Sequence, residues 1–445
     1  SISGSYSDCR YGDFRDRMQS LTLLAGRACL GRHCGAGTEG GSMHRTVSVA
    51  GRIACLCLSG LLAACTVGQT YDVLILNGRV VDGSNTPAFD ADIAIADDRI
   101  VAMGRLGGAR ARLVIDASGR TVTPGFIDLH NHADRNILDN PGVENFLFQG
   151  VTTILAGNCG NSPVDFPEYM ESVARTGISL NMALLIGHNA VRAAVMGNDN
   201  RAPTRAEQAQ MEGLVKAAMD AGAFGMSTGL IYLPGAYSAT DEVISLARVA
   251  AGSGGIYASH IRNEFGGIIA AIEEAIRVGR EAEVPVHISH FKVADNTMWG
   301  ASTRTLGLVE AARAAGQDVT IDQYPYTAGS TGLANVMPKW ARAGTREDVQ
   351  ARLDDPEVRA RIKAEVIEIL NGARAAGDLR RITVASFPSR PEYVGRSLAE
   401  VTEMNGLKPT IENGAEVAMT ILYDGHSDAI YHMMVEEDVR RIMTA

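Results

Sequence analysis

Lysine is nearly absent from this chain, with five residues in 445 (Lys216, Lys292, Lys339, Lys363 and Lys408). Aromatic residues are also sparse at 5%, so a lysine placed inside a motif stands out. The formal net charge is −10, which provides no basic footprint for nucleic acid. The apolar run from Ile53 to Leu62 is too short to span a bilayer. Of seven cysteines, Cys9, Cys29, Cys34, Cys55 and Cys57 precede Cys65, and only Cys159 follows it. A mature chain beginning at an acylated Cys65 has no disulfide available, which leaves Cys159 as a single thiol in an exported protein. The rest of the composition, 46% hydrophobic and 21% charged, is that of a globular chain long enough for a large core. Length alone suggests two or three domains, and a barrel fold absorbs the same length in fewer.

The first 65 residues differ from the remainder. Seven arginines against four acids leave them at +3, so the remaining chain carries −13. Residues 1–42 are Gly- and Arg-rich without apolar periodicity and read as a disordered or spurious leader. Residues 43–65 read as a lipoprotein-type signal peptide: a basic start at Met43-His44-Arg45, a short apolar run, then Leu62-Ala63-Ala64-Cys65. The expectation is export to the periplasm or to a membrane surface, with membrane contact only through a lipid on Cys65.

Residues 71–122 alternate apolar and polar side chains and carry turn signals at Asp82-Gly83 and Asp97-Asp98, which predicts a small antiparallel β-sandwich domain. From residue 123 strands alternate with Ala-rich helical segments, the signature of a parallel α/β sheet. Predicted strands are 125–130, 152–156, 181–186, 225–228, 255–260, 285–290 and 318–322. Seven parallel strands over 123–332 predict a (β/α)8 TIM-type barrel whose eighth strand is missing. Residues 333–415 read as an inserted, largely helical segment and possible lid. Residues 416–445 read as the start of the last barrel segment, a strand at 417–423 followed by a helix.

The chemistry concentrates at the C-terminal ends of these strands, where barrel active sites are built. His130 and His132 close the first strand two residues apart, so their imidazoles share a face. His260 ends the fifth. His287 and His290, three apart on the sixth, point to opposite sides; His290 is chosen for the mouth, and His287 is assigned as a packed or surface residue. After the second strand, the Asn158-Cys159-Gly160 turn, with Gly157 before it, aims a sulfur inward. A thiolate among imidazoles suits Zn²⁺.

The segments PGFIDLHNHAD, GVTTILAGNCG, GMSTGLIYLPG, YASHIRNE, VPVHISHFK and DQYPYTAGST together resemble the N-acyl-D-amino-acid deacylases (D-aminoacylases) of the metal-dependent amidohydrolase superfamily. The resemblance runs from about Tyr71 to the end. It implies zinc-dependent hydrolysis of the amide bond of small N-acyl-D-amino acids. Cys159, His260 and His290 would hold the tighter Zn²⁺, and His130 and His132 would add a weaker second site. It also implies that Lys292, Tyr324 and Ser330 hold the substrate carboxylate and that the Tyr232 hydroxyl polarises the carbonyl. Relatives with a carboxylated lysine carry it on the fourth strand; here that strand reads FGMSTG.

The resemblance further implies a general acid/base aspartate, within Ser-Asp-Gly, expected beyond Ala445. None follows the seventh predicted strand, so no catalytic aspartate is assigned, and the chain as given is expected to bind zinc poorly and turn over slowly. Two other readings compete: a cyclic-amide hydrolase of the dihydroorotase or hydantoinase kind, and a non-catalytic exported lipoprotein that keeps the fold as a binding shell.

Overall fold

The computed structural model describes residues 70–445, and both the leader and the signal segment with Cys65 lie outside the described residues. The chain divides into two units, residues 1–125 and 126–445. Among the described residues, no helix is long and apolar enough to cross a membrane.

The first unit is a sheet of β1 (Thr70–Val80), β2 (Phe89–Ala96), β3 (Arg99–Gly104), β4 (Arg110–Asp116) and β5 (Thr121–Val122). β1 pairs antiparallel with β2 across the loop 81–88, and β2 with β3 through the tight turn at Asp97-Asp98. The expected antiparallel sandwich needs correction. The segment after β3 carries the chain to the far side of β1, so β4 and β5 both pair parallel with it. The result is one mixed sheet among the described residues, with a small core of Val80, Ala91 and Ile93.

The second unit opens with β6 (Phe126–Asp128), β7 (Val151–Ala156), β8 (Asn181–Gly187), β9 (Gly225–Gly229), β10 (Ile256–His260), β11 (Val286–Ile288) and β12 (Val319–Ile321). They pair in chain order as one parallel sheet. β8 and β9 are buried on both faces, which explains their continuous rather than alternating runs of apolar and small residues. Helices return the chain between strands. In Ile268–Ala282 the buried residues Ile268, Ala271, Ile272, Ala275, Ile276, Gly279 and Ala282 recur at helical spacing and form the face turned to the sheet. Each fully buried isoleucine, such as Ile154 or Ile272, stabilises by about 1.5–3 kcal/mol. The helix Arg205–Asp220 starts on a capping box, Thr204 with Glu207. The sheet curls: His130 after β6 and Asp322 after β12, at its opposite edges, are 2.9 Å apart through Nδ1 and Oδ2. The architecture is a seven-stranded part of a TIM-type α/β barrel.

The remaining chain builds a second core around a three-stranded antiparallel sheet of β13 (Ala328–Gly332), β14 (Ile382–Ser386) and β15 (Asp428–His432), with β15 in the middle. Helices Arg346–Asp354, Pro356–Asn371, Leu398–Met404 and Ile411–Asp424 pack around it through residues such as Leu353, Ile362, Val366, Leu398 and Ala418. This sheet takes β13 and β15 from the two sides of the segment 333–415 and β14 from within it. The strand expected at 417–423 is part of the helix Ile411–Asp424. Its seven-residue apolar run reads equally as strand or helix. The decision comes from the Thr410 side chain, which caps the helix by accepting from the Asn413 N–H. Residues beyond 416 therefore enter the second core, although the helix Glu436–Met443 does lie against the barrel, where the Gly300 N–H donates to Asp438 Oδ2 at 2.8 Å.

Candidate metal centre

The turn after β7 places the sulfur. Gly157, Cys159 and Gly160 all have positive φ (76°, 56° and 80°). A Cβ at Gly160 would lie 2.1 Å from Asn189 Oδ1, and one at Gly157 would lie 2.2 Å from the Leu185 carbonyl oxygen. Only glycine fits either position. Ser227 on β9 pins the turn: its hydroxyl donates to the Gly157 carbonyl at 2.5 Å and accepts from the Gly160 N–H at 3.0 Å. The Asn158 amide donates to the Leu155 carbonyl at 2.8 Å. The Cys159 sulfur is buried at the mouth of the sheet as a result.

Three imidazole nitrogens face it: His130 Nε2 at 3.4 Å, His260 Nδ1 at 3.7 Å and His290 Nε2 at 3.7 Å. The His132 ring stands 5.8 Å from that of His130, nearly perpendicular, and lines the same cavity of about 750 Å³. Burial disfavours a thiolate, but the histidines at 130, 132, 260 and 290 override this and hold the Cys159 thiol well below its usual range. Two clusters have metal-ligating geometry, His130–Cys159–His290 and His260–Glu264–His290.

Behind the imidazoles stand two carboxylates. Asp322 Oδ2 accepts from His130 Nδ1 at 2.9 Å and from His287 Nε2 at 2.8 Å, while Oδ1 accepts from the His290 backbone N–H at 2.5 Å. Glu264 Oε1 takes His290 Nδ1 at 3.0 Å, and its other oxygen lies 3.8 Å from His260 Nε2. A carboxylate behind a histidine fixes its tautomer and turns the far nitrogen toward a metal. The residues present fit such an ion. Nδ1 of His132, which lines the cavity, is buried without a hydrogen-bond partner, a cost of about 1–3 kcal/mol when nothing binds it.

His290 stands at the centre and His287 does not, but alternation of faces along a strand is not the reason. β11 ends at Ile288, and His290 turns into the site with φ of 38°. His287 is indeed packed, but through Asp322 it braces the same centre from behind. Lys292 also differs from a free cation: it is buried and ion-paired with Glu264. Tyr232 lies with its ring 4.7 Å from that of His260, and its hydroxyl is 3.2 Å from Thr331 Oγ1. Tyr324 and Ser330 line the cavity. Burial raises the hydroxyl pKa of Tyr232 and of Tyr324, so both remain donors. Glu264 and Asp322 escaped the reading of the sequence. Asp322 carried a signal, since it ends a predicted strand as the histidines do; Glu264 sits in a loop whose spacing predicts nothing.

These shifts give the metal-free protein a defined pH response. Burial alone would depress His130, yet Asp322 and Cys159 push it up to about 10. A raised pKa stabilises fully below the unfolded value of 6.5 and loses that contribution as pH climbs toward 10. Asp322 is shifted the other way: burial raises it, but His130 and His287 hold it far below the carboxylate range, so its contribution is lost only in acid. Cys159 is shifted the opposite way and offsets this loss up to the ordinary thiol range near pH 9, so the melting temperature of metal-free protein is expected to fall from about pH 9 upward, and this fall is expected to shrink in His130→Ala. A flat profile in the parent protein would contradict the pairing.

Residues 113–400 match the amidohydrolase family. The chain belongs to that family. This amidohydrolase is 43% identical to D-aminoacylase from Alcaligenes xylosoxydans xylosoxydans over 288 residues, 60% of the chain and 59% of that relative. It is 34% identical to N-acyl-D-glutamate deacylase from the same organism over 396 residues, 84% of the chain and 72% of the relative. Among solved structures it is similar to N-acyl-D-glutamate deacylase from Bordetella bronchiseptica complexed with zinc and a phosphonate mimic of the tetrahedral intermediate (32% identity, TM-score 0.70, 85% of this chain and 74% of that one). The amidohydrolase thus spans about three fifths to three quarters of the length of these relatives.

Proposed function

We propose that this amidohydrolase cleaves the amide bond of N-acyl-D-amino acids, releasing a D-amino acid and a carboxylate. The observation that carries the proposal is the thiolate of Cys159 facing three imidazole nitrogens, with a carboxylate behind His130 and another behind His290. Cys159, His260 and His290 would hold one zinc, and His130 with His132 a second, weaker one. Zinc bound there polarises a carbonyl and makes hydroxide available near neutral pH.

The chain's own residues supply the rest. Tyr232, protonated and beside His260, donates to the substrate carbonyl oxygen. Tyr324 and Ser330 contribute hydroxyls to the cavity wall, where they hold the substrate's polar end. Among the described cavity residues the carboxylates are already engaged: Asp322 by His130 and His287, Glu264 by Lys292 and His290, Asp128 by the His130 backbone N–H at 2.9 Å. We therefore assign none of them as the proton shuttle, a role worth on the order of 10²–10⁴ in rate. We also infer export and acylation at Cys65.

Zinc-loaded protein offered N-acetyl-D-methionine, its L enantiomer and dihydroorotate should release acetate from the D compound alone. Preferential opening of dihydroorotate would replace the proposal with the cyclic-amide reading. No turnover of any of the three, with zinc bound, would favour a binding shell.

A further inference from the structure

Two basic side chains line the cavity, Lys292 and Arg374, and they differ in what surrounds them. The Lys292 ammonium is compensated by Glu264 and lies 2.9 Å from His290 Nδ1. Recruiting it to a ligand would break a buried ion pair. Arg374 has no carboxylate partner among the described residues; its guanidinium lies over the rings of Phe265 and Tyr431, 4.5 and 5.2 Å from their centroids. Stacking uses the faces of a guanidinium and leaves its N–H donors in the plane, where they match a carboxylate.

A second guanidinium stands nearby. Arg342 donates from Nη1 to Asn335 Oδ1 at 2.9 Å, while its Nε is buried without a partner. Burial and then the neighbouring charge of Arg374 hold it below the usual arginine range. No acid among the described residues pairs with either. Two adjacent uncompensated cations repel and lose hydration, a cost that an anionic ligand offsets. A hydrogen-bond chain ties Arg342 to the centre. Asn335 Nδ2 donates to Thr331 Oγ1 at 3.0 Å, and Thr331 Oγ1 meets the Tyr232 hydroxyl at 3.2 Å. Tyr232, Thr331, Asn335 and Arg374 all line the one cavity.

We propose that Arg374 anchors the carboxylate of the N-acyl amino acid, with Arg342 held behind it by Asn335 as the second positive charge. The assignment rests on the deacylase reading and moves the principal ionic contact from Lys292 to a residue of the second core. For a charge-assisted hydrogen-bond pair, the KM for N-acetyl-D-methionine is expected to rise roughly ten- to a hundredfold in Arg374→Gln, with kcat little changed. Arg374→Lys should recover part of the loss, and N-acetyl-D-methioninamide should be handled alike by parent and variant. Equal losses for acid and amide would show that Arg374 only supports Phe265 and Tyr431, and would overturn the proposal.

A readout without turnover separates this from the deacylase reading. Phenylglyoxal should label Arg374, seen by mass spectrometry, and inorganic phosphate should protect it. Protection without hydrolysis of any N-acyl-D-amino acid keeps the anion subsite and overturns the substrate reading. Hydrolysis with neither protection nor a change in KM does the reverse.

Discussion

Cys159→Ala is expected to leave a folded protein that no longer retains zinc on dialysis. All three imidazole nitrogens nearest the centre face this sulfur, at 3.4 to 3.7 Å, so no other single side chain meets as many of them. Zinc bound through thiolate and imidazole is worth about 10–16 kcal/mol in total. Losing one of its three protein ligands then costs about 3–5 kcal/mol, on the order of 10²–10⁴ in affinity. Alanine tolerates the φ of 56° no worse than cysteine does, so the turn should persist. A chelator competition measures the affinity directly, and acetate release from N-acetyl-D-methionine should disappear with the metal. Full zinc occupancy in this variant would remove the sulfur from the centre and the proposed chemistry with it.

The second large effect is expected at Asp322, which touches no substrate in this account. Its two oxygens accept from three donors: Oδ2 from His130 and His287, Oδ1 from the backbone of His290. An asparagine at this position cannot satisfy them in either orientation, because its amide N–H₂ must face either two imidazole N–H groups or one backbone N–H. Asp322→Asn should therefore lower zinc affinity by about 10- to 100-fold. It should also destabilise the metal-free protein by about 3–5 kcal/mol, since it leaves a buried charge pair broken. Urea unfolding without metal separates the second effect from the first. Unchanged stability and unchanged affinity together would reduce Asp322 to a bystander.

Much of the barrel was legible because strand–helix alternation is a strong local signal. The seven predicted strands coincide with β6 to β12, although the first, sixth and seventh end earlier than their apolar runs suggest. Those shortened ends matter. His130 and His290 lie beyond their strands, so a rule of alternating faces does not govern where they point. Composition indicated the turn at Cys159, since glycines on both sides of a polar segment permit positive φ. The partners of the imidazoles were hidden for a different reason. Asp322 meets His130 across 192 positions only because the sheet curls, and no local pattern encodes that closure. Arg374 and Arg342 were invisible for the same reason, lying in a segment whose charged, helical pattern does not encode which of its residues reach the cavity. In the small sheet, alternation marked where strands lie but not their direction, so β4 and β5 were assigned the wrong sense against β1.

X-ray absorption at the zinc edge tests the central claim most directly. With one equivalent of zinc added to the purified protein, the account predicts one sulfur neighbour at about 2.3 Å with nitrogen or oxygen at about 2.0–2.1 Å, and loss of the sulfur shell in Cys159→Ala. A spectrum of nitrogen and oxygen neighbours alone in the parent protein would contradict it.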